Sequence, residues 1–372
     1  MKVLFVTNLP SPYRVDFFNE LGNKVDLTVC YERRNSSERD EKWVNNSHRS
    51  YEEKYMISKN IGVDRSIGLG VIKELKYKYD FVILTGLSSP SIILAIMYCQ
   101  IYNIKFIMED DGGLINLNGE KHKFLKKILL KKVFAYFTTT NENIYTMTQL
   151  GINKNKIYKY PFSSVFNKDI ENGIKKKKEL QSIRQLLGIK EKKVVLAVGQ
   201  FIERKGFDIL LEAFTDMPDD CGLYFVGGVP TKEYIDIVRI KKLSNIHFIG
   251  FQEKDMLQNY YAAADIFVHP TREDIWGLVV NEAMAAGLPV ITTYRCGAGL
   301  ELIKQNENGF LVEVENIADL QKKMLQILNN NNLQKKMEEN SISIIKDYTI
   351  EKMVNWHVNK LKELYKTLDK LK

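Results

Sequence analysis

The sequence predicts an α/β protein built from two parallel-sheet domains in tandem. Its 372 residues are more than one hydrophobic core normally organises. Short apolar runs alternate with helical stretches, and the runs are nearly continuous, as in strands that are covered on both faces. The alternation lapses around 166–193, which is charged and poor in strand formers, and then begins again. Two such domains leave a cleft between them, and parallel sheets bind ligands at the carboxyl ends of their strands.

The apolar runs give strand and helix predictions in chain order. In the first half the strands are Lys2–Thr7, Val25–Tyr31, Phe81–Thr85, Lys105–Met108, Ala135–Thr139 and Lys156–Tyr160. In the second half they are Val194–Val198, Leu223–Val226, Ile246–Ile249, Ile266–His269, Pro289–Thr293 and Gly309–Val312. Helices are expected at Leu320–Asn329, Leu333–Lys346 and Ile350–Lys370. We therefore place a first domain over 1–168, a linker over 169–192, a second domain over 193–350 and a C-terminal helix over 351–372. Other two-domain α/β enzymes and binding proteins, including periplasmic binding proteins, share this layout.

The charge of the chain favours an anionic partner. There are 54 Lys and Arg against 46 Asp and Glu, which gives a net charge of +8 and a pI near 9.0. Nucleotide-sugars, phospholipid headgroups and nucleic acid all satisfy this preference. Charge alone does not choose among them.

Cysteine and histidine spacing indicates neither a disulfide framework nor a metal site. The four cysteines are scattered and mostly lie in or beside apolar runs, which predicts buried thiols and a reducing compartment. The five histidines lack metal-ligand spacing. The chain enters a strand pattern at its start, so no secretion signal is expected. The longest apolar run, 92–101, is shorter than the ~20 residues of a spanning helix.

The segment 265–303 carries the strongest functional signal. It reads DIFVHPTREDIWGLVVNEAMAAGLPVITTYRCGAGLELI and contains two of the predicted strands. Glu273 and Asp274 follow the first of these strands, Glu282 lies on the next helix, and small residues at 297–299 begin another helix. Carboxylates suit the hydroxyls of a sugar or ribose, and amides at a helix start suit phosphate. The segment therefore predicts a nucleotide-sugar pocket.

A second segment, 194–214, predicts a strand, a basic loop and an amphipathic helix. The strand ends at Gly199, and Arg204 and Lys205 lie in the loop at its carboxyl end. A lysine held beside a helix start is a suitable electrostatic clamp for a departing diphosphate. Basic loop residues are more often simply solvated, and the adjacent acidic segment favours the functional interpretation.

These two segments resemble the retaining glycosyltransferases of family 4. The family's loop pattern V-G-R-L-x-x-x-K-G appears as VGQFIERKG over 198–206, with Gln200 in place of arginine. In the family, an E-x7-E motif is followed by A-M-A-x-G-x-P-V-I. Here Glu282 matches the second glutamate of that motif and begins the stretch EAMAAGLPVI. Counting back eight places gives Asp274 as the first acid, unless a local bulge brings Glu273 into its place.

The resemblance also implies a fold and a reaction. CGAGLELI over 296–303 resembles the family's G-G-x-x-E loop, with Ala298 at the second glycine. The implied fold is GT-B, in which two Rossmann-like domains face each other across a cleft and a C-terminal helix crosses back to the first domain. The implied reaction transfers a sugar from a nucleoside diphosphate, UDP by family frequency, to a hydroxyl acceptor. It retains the anomeric configuration and uses no metal or cofactor.

The resemblance assigns roles within the donor pocket. Lys205, with Arg204 beside it, would stabilise the departing diphosphate. Glu282 would bind the ribose and Asp274 would orient the sugar. The expected donor-binding residues are Gly199, Gln200, Lys205, Asp274, Trp276, Gly277, Glu282, Gly297, Ala298 and Gly299. Catalysis is expected to depend on Lys205, Arg204 and Asp274, and no residue is expected to act as a covalent nucleophile.

The first domain is expected to supply the acceptor side. Tyr13 and Arg14 lie in the loop after the first strand, where related transferases carry a similar N-x-P-x-P-Y-R stretch, and either they contact a substrate or the tyrosine packs. Glu109, Asp110 and Asp111 follow the fourth strand. One of them is expected to contact or activate the acceptor hydroxyl. Asp110 or Asp111 could instead cap the following turn.

The stretch 119–134 predicts a basic amphipathic helix. One face carries Phe124, Leu125, Ile128, Leu129 and Val133. The other carries Lys123, Lys126, Lys127 and Lys131. Such a helix favours contact with an anionic membrane, as in transferases that build bacterial surface glycans on lipid-linked acceptors. The ordinary alternative is a domain helix that buries its apolar face. We expect a peripheral protein on the inner face of the cell membrane.

Two other function classes stay open on the sequence alone. A different GT-B enzyme, such as a nucleotide-sugar epimerase or a phosphorylase, would need a dedicated base or cofactor lysine in the cleft. A non-catalytic sugar- or nucleic-acid-binding protein would interleave aromatic residues with its lysines. The lysine-rich stretches contain mostly Leu and Ile, so nucleic acid is not the expected partner.

Overall fold

The computed structural model describes residues 1–34, 47–57, 59–62, 65–68, 70–87, 89–112 and 120–369. The chain forms two compact units, Met1–Ser164 with Ile350–Lys372, and Val165–Thr349. Each unit contains its own parallel sheet and its own hydrophobic core.

The first unit is built on a seven-stranded sheet. The strands of this unit, inside and outside that sheet, are β1 (Lys2–Thr7), β2 (Asp26–Tyr31), β3 (Glu52–Tyr55), β4 (Lys59–Gly62), β5 (Arg65–Ile67), β6 (Phe81–Thr85), β7 (Phe106–Glu109), β8 (Ala135–Thr138) and β9 (Ile157–Lys159). Its helices before the second unit are α1 (Pro12–Gly22), α2 (Gly70–Leu75), α3 (Pro90–Ile101), α4 (Glu120–Leu130) and α5 (Asn141–Gln149). The sheet order is β3-β2-β1-β6-β7-β8-β9, and all of its pairings are parallel. The strands β4 and β5 form a separate antiparallel pair.

The second unit is built on a six-stranded parallel sheet. Its strands are β10 (Lys193–Val198), β11 (Cys221–Val226), β12 (Ile246–Ile249), β13 (Ile266–His269), β14 (Val290–Thr293) and β15 (Gly309–Val312). Its helices are α6 (Asn167–Lys178), α7 (Leu180–Leu186), α8 (Phe207–Phe214), α9 (Lys232–Ile240), α10 (Lys254–Ala263), α11 (Leu278–Ala285), α12 (Gly297–Leu302), α13 (Ile317–Leu328) and α14 (Asn331–Ile345).

The strand order of this second sheet locates its ligand-binding edge. The order is β12-β11-β10-β13-β14-β15, so the chain reverses direction across the sheet between β10 and β13. In doubly wound sheets the ligand crevice opens at the carboxyl ends of the two strands that flank such a reversal. The loops after β10 and β13 are therefore the expected site.

The chain then returns to the first unit as α15 (Ile350–Asp369). One face of this amphipathic helix is buried and includes Met353, Val354, Val358 and Leu361, which pack in the first unit beside α1. This return agrees with the predicted C-terminal helix. Among the described residues, no helix combines the length and the apolar character that crossing a membrane requires.

Each predicted strand is present, with its ends displaced by a residue or two at most. The buried β1 sequence KVLFVT shows why: five consecutive residues are covered, as in a central parallel strand. All four cysteines are buried free thiols, which confirms the burial predicted for most of them.

The prediction of a linker over 169–192 is wrong, because this stretch lies within the second unit and contributes to α6 and α7. Few apolar residues anchor these helices. At the end of α6, Lys175 and Lys178 are exposed, whereas Lys176 donates to Asn259 and Lys177 to the Ala264 carbonyl. Ile170 and Ile183 are buried, and a Cβ on Gly173 would lie 2.4 Å from the carbonyl oxygen of Ala285. The Arg184 guanidinium donates to Asp265 at 2.8 Å. These contacts are invisible to a composition argument.

Candidate functional site

Four side chains, one from the end of β13 and three from the loops after β10 and β13, meet at the switch point of the second sheet. Lys205 Nζ lies 2.6 Å from Asp274 Oδ2, and Arg204 Nη1 lies 3.3 Å from Asp274 Oδ1. His269 Nε2 donates to Asp274 Oδ2 at 2.9 Å. Arg204 also donates to the Glu273 carbonyl at 2.8 Å, while the Glu273 side chain is exposed. Asp274, rather than Glu273, is thus the acid that the structure brings to Lys205.

The two loops are fastened together by the backbone. Gly206 has φ 66°, and a Cβ there would lie 2.2 Å from the Pro270 carbonyl oxygen, so only glycine fits. The Thr271 hydroxyl and the Arg272 amide both donate to the Arg204 carbonyl, each at 2.8 Å.

The Arg272 side chain adds charged hydrogen bonds beside this contact. Its guanidinium donates to both oxygens of Asp208, at 2.9 and 2.6 Å. It also donates to the Glu203 carbonyl at 2.7 Å and to Glu315 at 2.9 Å. A bidentate pair of this kind fixes orientation as well as distance. The basic loop is therefore held in one position.

The surroundings of Asp274 keep it ionised. Burial by itself would raise the pKa of Asp274, but the hydrogen bond from His269 and the charge of Lys205 hold that pKa far below its usual value. Burial and the nearby Lys205 charge lower the pKa of His269. The neutral His269 ring carries its proton on Nε2 toward the carboxylate, and its Nδ1 has no partner among the described residues.

Gly277 and Trp276 shape the floor of this loop. Gly277 has φ 91°, and a Cβ there would lie 2.8 Å from Cys296 Sγ, next to His269 and Asp274. Trp276 was expected to touch the donor, yet it is only 2% exposed and its indole N–H donates to Asn281 Oδ1 at 2.7 Å. Trp276 therefore supports the loop from behind.

Glu282 lies half-buried on α11 among the buried residues Val280, Ala283 and Met284. The Tyr261 hydroxyl donates to Glu282 Oε2 at 3.0 Å, and Tyr261 is almost completely buried. Burial, followed by the charge of Glu282, raises the pKa of Tyr261, so the phenol remains a donor. This bond fixes one carboxylate oxygen of Glu282.

The small residues at the start of α12 are placed differently from the prediction. The Gly297 amide donates to the Asp274 carbonyl at 3.2 Å, and the Ala298 amide donates to the Trp276 carbonyl at 2.7 Å. A Cβ on Gly299 would lie 2.6 Å from Thr292 Cγ2. Two of the amides expected to meet phosphate are therefore engaged with the acidic loop, which they tie to α12.

Gly199 and Gln200 occupy the end of β10. The Gly199 amide donates to the Val226 carbonyl at 2.9 Å, and a Cβ on Gly199 would lie 3.7 Å from the Lys205 side chain. Gln200, at the family's arginine position, is half-buried. Within the described ranges, no group of three or more His, Cys, Asp or Glu side chains is arranged to hold a metal ion.

The predicted acceptor-side residues converge in the first unit. Arg14 is 3% exposed, and its guanidinium donates to Glu109 Oε1 at 2.8 Å and to Asp111 Oδ1. The Tyr13 hydroxyl lies 3.4 Å from Asp111 Oδ2, and its ring packs edge-on against Phe162. Arg14 is thus enclosed by protein carboxylates, and a direct substrate contact from it is not supported.

The three neighbouring acids differ in what surrounds them. Asp110 Oδ1 accepts from Thr138 at 2.8 Å, Asn143 at 2.9 Å and the Gly112 amide at 3.0 Å, so Asp110 caps the turn. Glu109 is 1% exposed. The Asp111 side chain is 25% exposed, whereas Asp110 has one oxygen engaged in three hydrogen bonds and the other buried, so Asp111 is the better placed of the two for a ligand.

Three contributors to these clusters were missed by the sequence. His269 ends β13, five residues before Asp274, but histidines were assessed only for metal-ligand spacing. Tyr160, just after β9, places its hydroxyl 3.3 Å from Asp111 Oδ1. His357 on α15 reaches Glu109 across 248 positions of sequence, and no local pattern indicates such a contact.

The helix α4 presents basic and apolar groups together. Lys127 and Lys131 are exposed and Lys123 and Lys126 are half-buried, while Gly119 lies outside the described residues. Of the apolar face, Leu129 and Val133 are buried, but Phe124, Leu125 and Ile128 are 67%, 47% and 46% exposed. The neighbouring α3 exposes Met97 and Ile101. The α4 surface therefore combines exposed apolar side chains with lysines.

Two Rossmann-like units, with the last helix returned to the first unit, define the GT-B fold, as predicted. Residues 180–343 match the family model described as Glycosyl transferases group 1. A stretch of 160 residues is 34% identical to an uncharacterized glycosyltransferase of Methanocaldococcus jannaschii and covers 43% of this chain and 45% of that protein. Over 120 residues, 31% of this chain and 32% of the relative, it is 36% identical to the Escherichia coli lipopolysaccharide glucosyltransferase WaaG.

Solved structures agree on the fold over the whole chain. The structure of HepE from Anabaena, in complex with UDP, matches 98% of this chain and 100% of HepE, with a TM-score of 0.77 and 15% sequence identity. The chain spans less than half the length of the two curated relatives. The matched residues 180–343 contain the Lys205–Asp274 cluster and Glu282.

Proposed function

We propose that this chain is a retaining glycosyltransferase of family 4 that transfers a sugar from a nucleoside diphosphate to a hydroxyl acceptor. The observation that carries the proposal is the convergence of Lys205, Arg204 and His269 on Asp274 at the switch point of the second sheet. Two cations held beside an ionised carboxylate suit a ligand that has both phosphates and hydroxyls. UDP is the favoured nucleotide, because HepE of the same fold was solved with UDP.

In the proposed reaction the sugar–phosphate bond breaks and negative charge grows on the departing diphosphate. Lys205 and Arg204 stabilise that charge, and fixed cations lower the barrier most when the charge develops in the transition state. Asp274 orients the sugar and Glu282 holds the ribose hydroxyls. Because these side chains supply the positive charge, the proposal includes no metal ion and no cofactor.

The first unit provides the acceptor contact in this proposal. The Asp111 side chain is 25% exposed, and burial raises its pKa. A carboxylate with a raised pKa is a better acceptor for the hydrogen of a hydroxyl. We therefore assign Asp111 to the acceptor hydroxyl, with the Tyr13 ring beside it.

A nucleotide-sugar panel tests the donor assignment. UDP-, GDP- and dTDP-sugars would be screened by thermal shift and then by nucleotide release, with wild type, Lys205→Ala and Lys241→Ala compared. A donor at a hundredfold excess over its Kd should add about 2.7 kcal/mol of stability. We expect Lys205→Ala to lose about a hundredfold in nucleotide release. Lys241, an exposed lysine paired with Glu212, is the matched control.

Two outcomes would contradict the donor assignment. One is a panel in which no nucleotide-sugar stabilises the wild type. The other is equal nucleotide release by Lys205→Ala and Lys241→Ala. Retention is tested separately by proton NMR of the first sugar released from an α-configured donor, where a β product would refute it.

We further propose that the acceptor is a lipid-linked or growing surface glycan and that α4 rests on an anionic membrane, at its inner face in the cell. Exposed Phe124 and Ile128 beside Lys127 and Lys131 support this placement, because apolar groups enter the headgroup region while lysines bind anionic lipid. Each lysine near the surface contributes ~1 kcal/mol.

Vesicle flotation tests the membrane placement. We expect Lys127→Glu with Lys131→Glu to weaken binding to phosphatidylglycerol vesicles by roughly thirtyfold, which corresponds to ~2 kcal/mol. The matched control, Lys335→Glu with Lys336→Glu on α14, makes the same charge change at exposed positions of the second unit. Equal binding by the two double variants would refute the role of α4.

A further inference from the structure

A buried ionic network connects α15 to the loops that hold the proposed acceptor acid. Glu109 at the end of β7 accepts from Arg14 on one oxygen, at 2.8 Å, and from His357 Nε2 on the other, at 3.0 Å. His357 and Glu109 side chains are completely buried. The other end of the Arg14 guanidinium donates to Asp111. His357 and Asp111 are therefore joined through two intervening side chains.

The hydrogen-bond partners of His357 define its protonation. Its Nδ1 faces the Met353 carbonyl oxygen at 2.8 Å, and a carbonyl only accepts. Its Nε2 faces the carboxylate of Glu109. Glu109 also accepts from Arg14, at 2.8 Å, and a carboxylate paired with a guanidinium only accepts. Only the doubly protonated ring donates to both oxygens.

A cationic His357 adds a second positive charge to that of Arg14, beside the carboxylates of Glu109 and Asp111. Buried ions are tolerated when they are paired in this way. Aromatic rings enclose the histidine, with ring centroids at 4.9 Å for Phe17, 5.7 Å for Phe137, 5.0 Å for Tyr160 and 5.1 Å for Trp356. This enclosure keeps water from the contact between His357 and Glu109. Apart from His357, Arg14 is the cation that the described residues place against Glu109.

We propose that His357 is a positioning residue for acceptor recognition: by neutralising Glu109 it leaves Arg14 free to orient Asp111. The inference rests on the proposed function, since it concerns the acid assigned to the acceptor hydroxyl. Without the imidazolium, the full charge of Glu109 draws the guanidinium toward itself and weakens its hold on Asp111. The C-terminal helix thereby contributes to the acceptor site as well as to the fold.

Carboxyl carbon NMR of Asp111 tests the connection without any substrate. The groups that face Asp111 are Arg14 and Tyr13 from α1, Glu109 and Asp110 from the β7 end, and Tyr160, with His357 behind Glu109. Removing the His357 cation exposes Asp111 to the charge of Glu109, so His357→Gln should raise the Asp111 midpoint by about one pH unit. Removing the Glu109 charge should lower it, so Glu109→Gln shifts it in the opposite direction. Asp111→Asn assigns the signal.

The matched control is His247→Gln. His247 also pairs with a glutamate, Glu191, at 2.6 Å, but it lies in the second unit. We expect no change of the Asp111 midpoint in this variant. An unchanged midpoint in His357→Gln would overturn the proposal. If that variant does not fold, Glu109→Gln, which preserves shape, decides by the presence or absence of its downward shift.

Kinetics then separate this proposal from the donor assignment. With UDP-glucose and octyl β-D-glucoside as probes, His357→Gln should raise the acceptor KM about tenfold and leave the calorimetric Kd for UDP unchanged. Equal losses in UDP binding would contradict a positioning role on the acceptor side. If the wild type binds no UDP, the proposed function fails, whereas the carboxyl titration still decides whether His357 controls Asp111.

Discussion

Replacing Asp274 by asparagine is expected to tighten the binding of UDP while slowing transfer. Any diphosphate that binds Lys205 and Arg204 competes with Asp274 for them, because both cations already lie against its carboxylate, at 2.6 and 3.3 Å. Asparagine keeps the shape of the side chain and offers an oxygen to His269, but it removes the negative charge. The diphosphate then gains the two cations without competition.

The magnitude follows from the charges and their exposure. Two like charges about 5 Å apart repel by about 3 kcal/mol at an effective dielectric constant of 20. The side chains of Asp274 and Lys205 are 12% and 13% exposed and that of Arg204 is 44% exposed, so solvent screens part of this energy. We expect a net gain of about 1–2 kcal/mol, which is roughly five- to thirtyfold in Kd.

Titration calorimetry with UDP at fixed ionic strength measures this gain. Glu273→Gln is the matched control, since Glu273 is the neighbouring acid, is exposed, and contacts Arg204 only through its backbone carbonyl. Its Kd should stay within about twofold of wild type, as for a screened surface charge. Weaker or unchanged UDP binding by Asp274→Asn would refute the competition argument. Transfer should fall at least about tenfold, because the sugar loses its orienting carboxylate.

Three further predictions concern stability and reactivity. Gly277→Ala should cost about 2–4 kcal/mol in urea unfolding, since a Cβ at φ 91° would lie 2.8 Å from Cys296 Sγ; a loss below about 0.5 kcal/mol would contradict the packing. The lowered pKa of folded Asp274 stabilises the protein above the unfolded pKa near 4, and this contribution disappears as the pH falls toward the folded pKa. Urea unfolding at pH 6, 4.5 and 3 should therefore show a steeper loss for wild type than for Asp274→Asn, and parallel curves would contradict this. Burial raises the pKa of Cys30 and Cys99 to about 12, so Ellman's reagent at pH 8 should modify neither thiol until denaturant is added, and rapid modification of the native protein would contradict their burial.

The strands that could be predicted from the sequence are those whose burial shows in their own run of apolar residues. Continuous apolar runs in a parallel sheet are covered on both faces, so each run is visible without its neighbours. The edge strand β3 was missed because its sequence, EEKY, pairs only with β2 and leaves polar side chains uncovered. The helices α6 and α7 were missed because their sequence is rich in lysine. Only a few buried contacts, such as that of Gly173 with Ala285, fix them to the second unit.

The Lys205–Asp274 cluster was predictable for a topological reason. Lys205 and Asp274 are far apart in sequence, but they follow β10 and β13, which are adjacent strands at the reversal of the sheet. Parallel strands place their carboxyl ends at one edge, so loops after neighbouring strands meet. The role of the α12 amides was not predictable in the same way. Gly297 and Ala298 donate to the carbonyls of Asp274 and Trp276, and this pairing depends on how two segments separated in sequence pack together, which a local motif does not encode.

The two aspartates that follow parallel strands, Asp274 and Asp111, are pushed toward opposite ionisation behaviour. For both, burial is the largest influence and raises the pKa. In Asp274 the hydrogen bond from His269 and the charge of Lys205 overcome it and lower the pKa, so this group is an anion throughout the physiological range. In Asp111 the charge of Arg14 is opposed by Glu109 and Asp110, and the pKa stays raised.

Such separation of like groups by their environments is how one protein divides acid–base roles between carboxylates. A permanent anion suits Asp274, which is proposed to fix Lys205 and orient a sugar without exchanging protons. A raised pKa suits Asp111, which is proposed to hold the hydrogen of an acceptor hydroxyl as the new bond forms. The balance at Asp111 depends on Glu109 being neutralised, and in the proposal made above that counter-charge comes from Arg14 and His357. The proposed chemistry of the first unit therefore depends on a residue fifteen positions from the end of the chain.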